Sequence, residues 1–287
     1  MTGKVCMITG SNSGIGKYAA LGLAKMGATV VMVCRDQSRG EAARDEIVGL
    51  SGSKKANVDL MLADLASLDS VRELANGFLQ KYERLHVLIN NAGLILSKRS
   101  VTKDGLETTF EVNYLSHFLL TNLLLGALKA SAPSRIINVS SGAHTRGHID
   151  FDDLQGEKGY SGMRAYSQSK LAQVLFAYEL AKRLKGTGVT VNCVHPGAVA
   201  TNWARQSAGA LSFVLKFVGP LELSPEKGAD TSVYLASSPE VADVTGKYFT
   251  KRKEVPSSKE SYDEAEAQRL WQVSLVIAKL TDQQRNE

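Results

Sequence analysis

The feature that most constrains this chain is a rhythm in which short β-branched runs alternate with longer amphipathic segments. The runs are VCMI at 5–8, ATVVMVC at 28–34, NVDLML at 57–62, HVLIN at 86–90, RIINVS at 135–140 and VTVNCV at 189–194. Enough chain separates each from the next for a helical crossover, and largely apolar runs are what strands buried on both faces require. The rhythm predicts a doubly wound α/β arrangement, a parallel sheet with helices on both faces. Helices are expected over 14–26, 38–50, 67–82, about 103–129, 163–185 and 226–236. No repeat, low-complexity tract or linker divides the chain, and 287 residues with 44% hydrophobic content suit a single large domain.

Two segments fall outside the rhythm. One, about 198–224, runs from a Pro-Gly turn into LSFVLKFVGPLEL. The other is polar, 250–260, and leads to a helix expected to open at Ser261, where Ser261-Tyr262-Asp263-Glu264 has the form of a capping box. That helix would carry Leu270, Trp271, Leu275 and Ile277. The expected organisation is therefore a unit over 1–250 and a C-terminal helical extension, 251–287, packed on the same domain.

The net charge of +5 is dispersed apart from Lys251-Arg252-Lys253, too weak a basic balance for nucleic-acid binding. Cys6, Cys34 and Cys193 each sit in a strand-like run, without paired spacing or histidines at metal-ligand intervals. This disfavours a disulfide framework or a metal site and favours reduced thiols. The first run starts at Val5, which leaves no room for a signal peptide, and no apolar stretch reaches the roughly 18–20 residues of a membrane span. A cytoplasmic, non-secreted protein is expected.

Directly after the first run comes Thr9-Gly10-Ser11-Asn12-Ser13-Gly14-Ile15-Gly16, leading into a helix. Glycines there permit a tight turn and close approach of the backbone to a pyrophosphate, which the helix N-terminus stabilises. A glycine turn alone is often only a turn; strand, glycine loop and helix in that order point to dinucleotide binding. The end of the second strand selects the dinucleotide, because an acid there binds a ribose and an arginine a 2′-phosphate. It reads Val33-Cys34-Arg35-Asp36, so Arg35 favours NADP(H), with Lys17 as a second positive charge. A solvated surface arginine is the bland alternative. Past the third strand, Asp64, with Leu65 beside it, suits an adenine contact or a cap of the helix near Ser67.

Tyr166-Ser167-Gln168-Ser169-Lys170 puts a phenol and an ammonium on one helix face. A positive charge beside a phenol lowers its pKa and suits it to general acid–base work on a carbonyl or alcohol. Alone, the pattern fits a tyrosine packed beside a solvated lysine better than it fits a catalytic pair.

With TGSNSGIG, Asn90-Asn91-Ala92-Gly93, Asn113, Ser140-Ser141, YSQSK and Pro196-Gly197 in this order, the chain resembles the short-chain dehydrogenase/reductase family over about residues 3–250. INVSSGAH, FDDLQGEK, ELAKRLKGTGVTVNCVHPG and the late RLWQVS make it most similar to the retinol dehydrogenase branch. The resemblance implies a Rossmann-type fold and a catalytic group of Tyr166 as proton donor and acceptor, Lys170 on the nicotinamide ribose, Ser141 on the reacting oxygen and Asn113 in the proton relay. A mid-helix asparagine can also satisfy its own backbone. It further implies that Asn91, Ala92 and Gly93 shape the cofactor cleft, and that Pro196, Gly197, Val199 and Thr201 orient the carboxamide. His195 is expected to be structural, and His144 and His148 to do no more than line the substrate side.

The segment Leu211 to Val218 lies where the family has its substrate lid and is conspicuously apolar. It fits a lipophilic substrate or a membrane surface holding one, and fits packing on the domain or a partner subunit equally well. The expected activity is NADP(H)-dependent interconversion of a lipophilic aldehyde or ketone and its alcohol, retinal-like by resemblance. Reduction of steroid, sugar or xenobiotic carbonyls by the same group, and a non-catalytic dinucleotide-binding scaffold, are the alternatives. Relatives often pair through the helices corresponding to 113–129 and 163–185, so a homodimer is a further expectation, unless the C-terminal segment covers that surface.

Overall fold

The computed structural model describes residues 1–52, 56–197 and 223–280. Its sheet is built from β1 (Val5–Thr9), β2 (Thr29–Cys34), β3 (Val58–Leu62), β4 (Val87–Asn90), β5 (Ser134–Val139), β6 (Val189–His195), β7 (Lys247–Thr250) and β8 (Lys253–Glu254). They lie in the order β3-β2-β1-β4-β5-β6-β7-β8, parallel throughout except for the β7–β8 pair. The six runs legible in the sequence are β1 to β6, so the chain folds as the expected doubly wound, Rossmann-type α/β domain.

Alternate residues of these strands enter two separate cores, as the two-residue strand period requires. Met7, Val31, Val33, Leu88, Ile136, Val191 and Cys193 face one side, with α3 (Leu68–Lys81) and the helices 108–130 and 162–183. Cys6, Ile8, Val30, Met32, Ile89, Ile137 and Val194 face the other, under α1 (Gly14–Lys25), α2 (Gln37–Leu50) and the helix Pro225–Ser237. All three cysteines are buried and free.

The expected helix at about 103–129 begins later and is not uniform. Glu107 caps it by accepting from the amides of Thr109 and Phe110, which fixes the start at α4 (Thr108–Phe110). A π-helical stretch, Glu111–Leu115, follows, then α5 (Ser116–Leu123) and α6 (Leu125–Ala130). Asn113 sits in the π stretch, a distortion that often marks functional sites. The long helix α7 (Gly162–Arg183) carries Tyr166 and Lys170, and α8 (Pro225–Ser237) follows β6.

The C-terminal helix, α9 (Glu264–Ile277), opens at Glu264 rather than Ser261. Asp263 is its cap, accepting from Glu266 N at 2.9 Å, whereas the Ser261 hydroxyl is spent on Ser258 O. Trp271 of α9 packs on Phe118 and Phe176, at ring distances of 5.0 and 5.8 Å, with the Arg183 guanidinium over its ring at 4.3 Å. Tyr114 OH bonds Ser274 Oγ at 2.7 Å. This helix therefore buttresses both the π stretch and α7, and covers the aromatic residues that α5 and α7 present to it. Among the described residues no helix is long and apolar enough to cross a membrane.

Candidate active site

The strand order reverses between β1 and β4, and the loops leaving their carboxyl ends diverge there into a crevice. A cleft of about 370 Å³ opens at this point. It is lined by Gly10, Asn12–Gly16, Arg35, Asp64, Leu65, Asn91–Gly93, Tyr166, Lys170 and Pro196, so most of the residues singled out in the sequence converge on one cleft.

The glycine loop is held from below. Gly10 and Gly14 adopt positive φ, and a Cβ on Gly16 would stand 2.4 Å from Gly10 O and 2.5 Å from Asn91 Nδ2, so position 16 admits no side chain. Ser13 does not cap α1 with its side chain, in contrast to the caps Asp36 on α2 and Ser67 on α3. The first-turn amides of α1 are left facing the cleft, which is the donor set a pyrophosphate needs. Ser11 proves to be structural. It is fully buried, donates to Ile8 O at 3.0 Å and accepts from Val33 N at 3.1 Å, lacing the loop to β2 instead of lining the cleft.

At the end of β2, Arg35 is exposed on the cleft and Arg39, from the first turn of α2, joins it. Arg39 was not legible beforehand, since only the helical turn returns it to the site. Lys17, expected as the second positive charge, is turned away and bonds both oxygens of Glu46 at 2.8 and 2.9 Å. Asp36 is committed to its cap, accepting from Arg39 N at 2.9 Å. Asp64 faces the cleft and accepts from Ala66 N at 3.0 Å, while Ser67, not Asp64, caps α3.

Beyond β4, Asn91 Nδ2 donates to Thr9 O at 2.7 Å, and the amides of Asn91 and Ala92 both donate to Thr9 Oγ1, at 2.9 and 3.0 Å. Both lone pairs of that hydroxyl are then taken, so its proton goes to His117 Nε2, 2.9 Å away. His117 Nδ1 in turn donates to Asn113 O at 3.0 Å. Burial pushes His117 down to about 4 and keeps the ring neutral. Neither Thr9 nor His117 stood out in the sequence, because their contact spans 108 positions.

At the Tyr166 end of the cleft, burial pushes the Tyr166 phenol up to about 12, with a hydrogen bond from Ser141 working against the rise. The shift is opposite to that expected from Lys170, whose Nζ lies 5.6 Å from the phenol ring centre. Burial pushes Lys170 itself down to about 7, which weakens the charge available to the phenol. Lys170 Nζ donates to Val139 O at 3.0 Å and to Gln173 Oε1 at 2.9 Å. Asn113 lies behind the cleft wall, its Oδ1 accepting from Leu94 N at 2.8 Å and its Nδ2 donating to Leu94 O and Ser169 Oγ. Gly93 separates the two groups: a Cβ there would stand 3.4 Å from Asn113 Oδ1 and 3.5 Å from Lys170 Nζ. Of the adjacent serines, Ser141 bonds Tyr166, whereas Ser140 is buried and donates to Lys170 O at 2.9 Å. His144 does not line the substrate side; it is 2% exposed and fully engaged. Val199, Thr201 and the apolar stretch 211–218 lie outside the described residues.

The neutral histidines predict how stability depends on pH. His117 is shifted from 6.5 to about 4, so the unfolded chain binds its proton first and stability falls as pH drops from about 6.5 towards 4. At roughly 1.4 kcal/mol per pH unit, this ring alone accounts for about 3 kcal/mol. His195, His144 and His86 shift the same way, whereas buried Glu111 and half-buried Glu266 shift upward and oppose them at rising pH. With four rings against two carboxyls, denaturant midpoints should drop between about pH 7.5 and about pH 5. A midpoint that rose on acidification would contradict the assignment of neutral rings.

Comparison with known proteins gives four concordant findings. The short chain dehydrogenase family model matches residues 4–210. Human retinol dehydrogenase 13 is 49% identical over 275 residues, covering 94% of this chain and 82% of that protein. Among solved structures, an uncharacterized protein from Mycobacterium paratuberculosis aligns with a TM-score of 0.80 at 34% identity, over 97% of this chain and 94% of its own. The Pseudomonas aeruginosa RhlG/NADP complex aligns with a TM-score of 0.70 at 28% identity, over 87% and 94%.

Proposed function

Since the chain belongs to the short chain dehydrogenase family, in its retinol dehydrogenase branch, and is thus an oxidoreductase of the alcohol/carbonyl pair that uses a nicotinamide cofactor, we propose that it is an NADP(H)-dependent enzyme acting on a lipophilic, retinal-like carbonyl. The observation that carries this reading is the convergence of the Tyr166–Ser141 hydrogen bond, the Lys170 ammonium and the open glycine cradle on one cleft. Human retinol dehydrogenase 13 and its relatives supply the substrate class, by name and by identity of about half the chain.

The glycine loop and the α1 N-terminus would hold the pyrophosphate, Arg35 and Arg39 a 2′-phosphate, and Lys170 the nicotinamide ribose. When bound, the dinucleotide supplies or accepts the hydride. Every other part falls to the chain. In reduction, Tyr166 passes its phenolic proton to the carbonyl oxygen; in oxidation it takes the proton back from the alcohol. One lone pair of Ser141 Oγ is held by Ala143 N at 3.2 Å, which leaves its proton and second lone pair to be shared between Tyr166 and the reacting oxygen. Lys170 has two N–H bonds tied to Val139 O and Gln173 Oε1, and the third serves the ribose. Asn113 and His117 keep the wall behind it in register.

Residues 1–250, with a lid at 198–224, form the catalytic unit in this reading, and 251–287 brace it. The apolar lid segment Leu211 to Val218 would meet substrate at a membrane surface from the cytoplasmic side, and the protein would pair as a homodimer by a face other than the one α9 covers. A panel of retinal, long-chain aldehydes, steroid ketones and a hydrophilic sugar carbonyl, each with NADPH, tests the substrate class. Turnover should be highest with retinal or the long-chain aldehydes; preference for the steroid or sugar would transfer the assignment to that class.

A further inference from the structure

The turn that carries Ser141 is held by two histidines that the chemistry above does not use. His144 Nε2 accepts from the backbone amide of Ser258 at 3.1 Å. A backbone N–H can only donate, so Nε2 is bare and the ring proton is on Nδ1. Nδ1 donates to Ser141 O at 2.7 Å, beside the His144 amide, which reaches the same oxygen at 3.1 Å. The ring is 2% exposed and packs on Tyr248 at 4.7 Å. From the other side, the Gly142 amide donates to His195 Nδ1 at 3.2 Å, so that nitrogen is bare too.

Ser141 C=O and Gly142 N–H are the two polar groups of one peptide plane. One histidine holds each. Fixing that plane fixes the backbone on which Ser141 Oγ is mounted, and neither ring can take a second proton without pointing an N–H at an amide N–H. His144 belongs to the turn itself, but His195 and the partner of His144 come from distant parts of the chain. His195 ends β6, next to Pro196 on the cofactor cleft, and His144 is tied to Ser258 in the segment leading to α9.

We propose that His144 and His195 are positioning residues that clamp the Ser141–Gly142 peptide and hold Ser141 Oγ between the Tyr166 phenol and the reacting oxygen, with the C-terminal segment, through Ser258, as part of the clamp. This rests on the reading of Ser141 as the oxygen-binding serine. A clamp lost at one end lets the hydroxyl drift, and misplacement by about 1 Å costs on the order of 10²-fold in rate.

The test uses the full chain, NADPH and the carbonyl of the panel with the highest turnover. Ser141→Ala should lower kcat by about 10²–10³-fold. His195→Leu and His144→Phe should each lower kcat by about 10²-fold, with KM for NADPH and NADPH fluorescence on binding unchanged. His195→Asn, which keeps an acceptor near the δ position, should recover most of the rate. In the Ser141→Ala background neither histidine change should reduce kcat further, because the group they position is gone. The clamp is overturned if the folded single variants keep wild-type kcat, or if their losses multiply with that of Ser141→Ala, as a general structural role would produce. Wild-type kcat in Ser141→Ala would instead sink the oxygen-binding reading, and the clamp with it. If His144→Phe fails to bind NADPH, the His195→Leu and His195→Asn pair decides.

Discussion

Tyr166→Phe is expected to bind NADPH as the wild type does and to lose turnover by about 10²–10⁴-fold, the usual contribution of a positioned acid–base group. The substitution removes one oxygen and leaves the ring, so the wall of the cleft keeps its shape. What disappears is the proton that must reach the carbonyl oxygen and the hydrogen bond with Ser141. The burial that pushes the phenol up to about 12 strengthens the expectation. A phenol that holds its proton through the neutral range is ready as a donor for reduction, and in oxidation must lose that proton before it can act as a base, so alcohol oxidation should gain more than reduction as pH is raised. A dinucleotide-binding scaffold would not notice the change. Unaltered turnover in Tyr166→Phe would remove the phenol from the mechanism.

Arg35→Ala should weaken NADPH by about 10–150-fold, corresponding to the roughly 1.5–3 kcal/mol of a hydrogen bond to a charged group, and leave NADH unchanged. The prediction depends on which charges face the cleft. Arg35 and Arg39 both do, and although Asp36 lines it too, one of its carboxylate oxygens is held by the α2 cap. Arg39→Ala should act in the same direction. Lys17→Ala should do nothing to cofactor choice, because its ammonium is already paired with Glu46. Ratios of KM for NADPH and NADH across the three variants check this, and an Arg35→Ala protein that still preferred NADPH by its original factor would contradict it.

How much of this was legible in the sequence depends on how local the signal is. Six of the seven parallel strands are largely apolar runs of four to seven residues, and the glycine loop sits directly behind the first, so fold and cofactor cleft could both be read. β7 could not, because Lys247-Tyr248-Phe249-Thr250 has only two apolar residues and is a strand through its pairing with β6. The β7–β8 turn was equally silent. Lys251 and Arg252 both adopt positive φ, a geometry usually announced by Asn-Gly, and here Arg252 is held in place by its ion pair with Asp230. At the site, Tyr166, Lys170, Ser141 and the glycines followed from motifs, while the roles of Ser11 and Lys17 were misjudged. In both, the partner that claims the side chain, Val33 or Glu46, comes from another element. The histidines show the same limit more sharply, since His144 and its partner Ser258 are 114 positions apart, and His195 and Gly142 are 53 apart. Only the folded chain brings them together.

The central claim, hydride exchange between NADP(H) and a lipophilic carbonyl in this cleft, is tested most directly by isotope transfer. NADPH labelled with deuterium on one or the other face of nicotinamide C4 is incubated with the protein and retinal, and the product is examined by mass spectrometry. One of the two labelled forms should give retinol with a single deuterium on its carbinol carbon. Unlabelled retinol from both forms, or no retinol at all, would contradict the assignment.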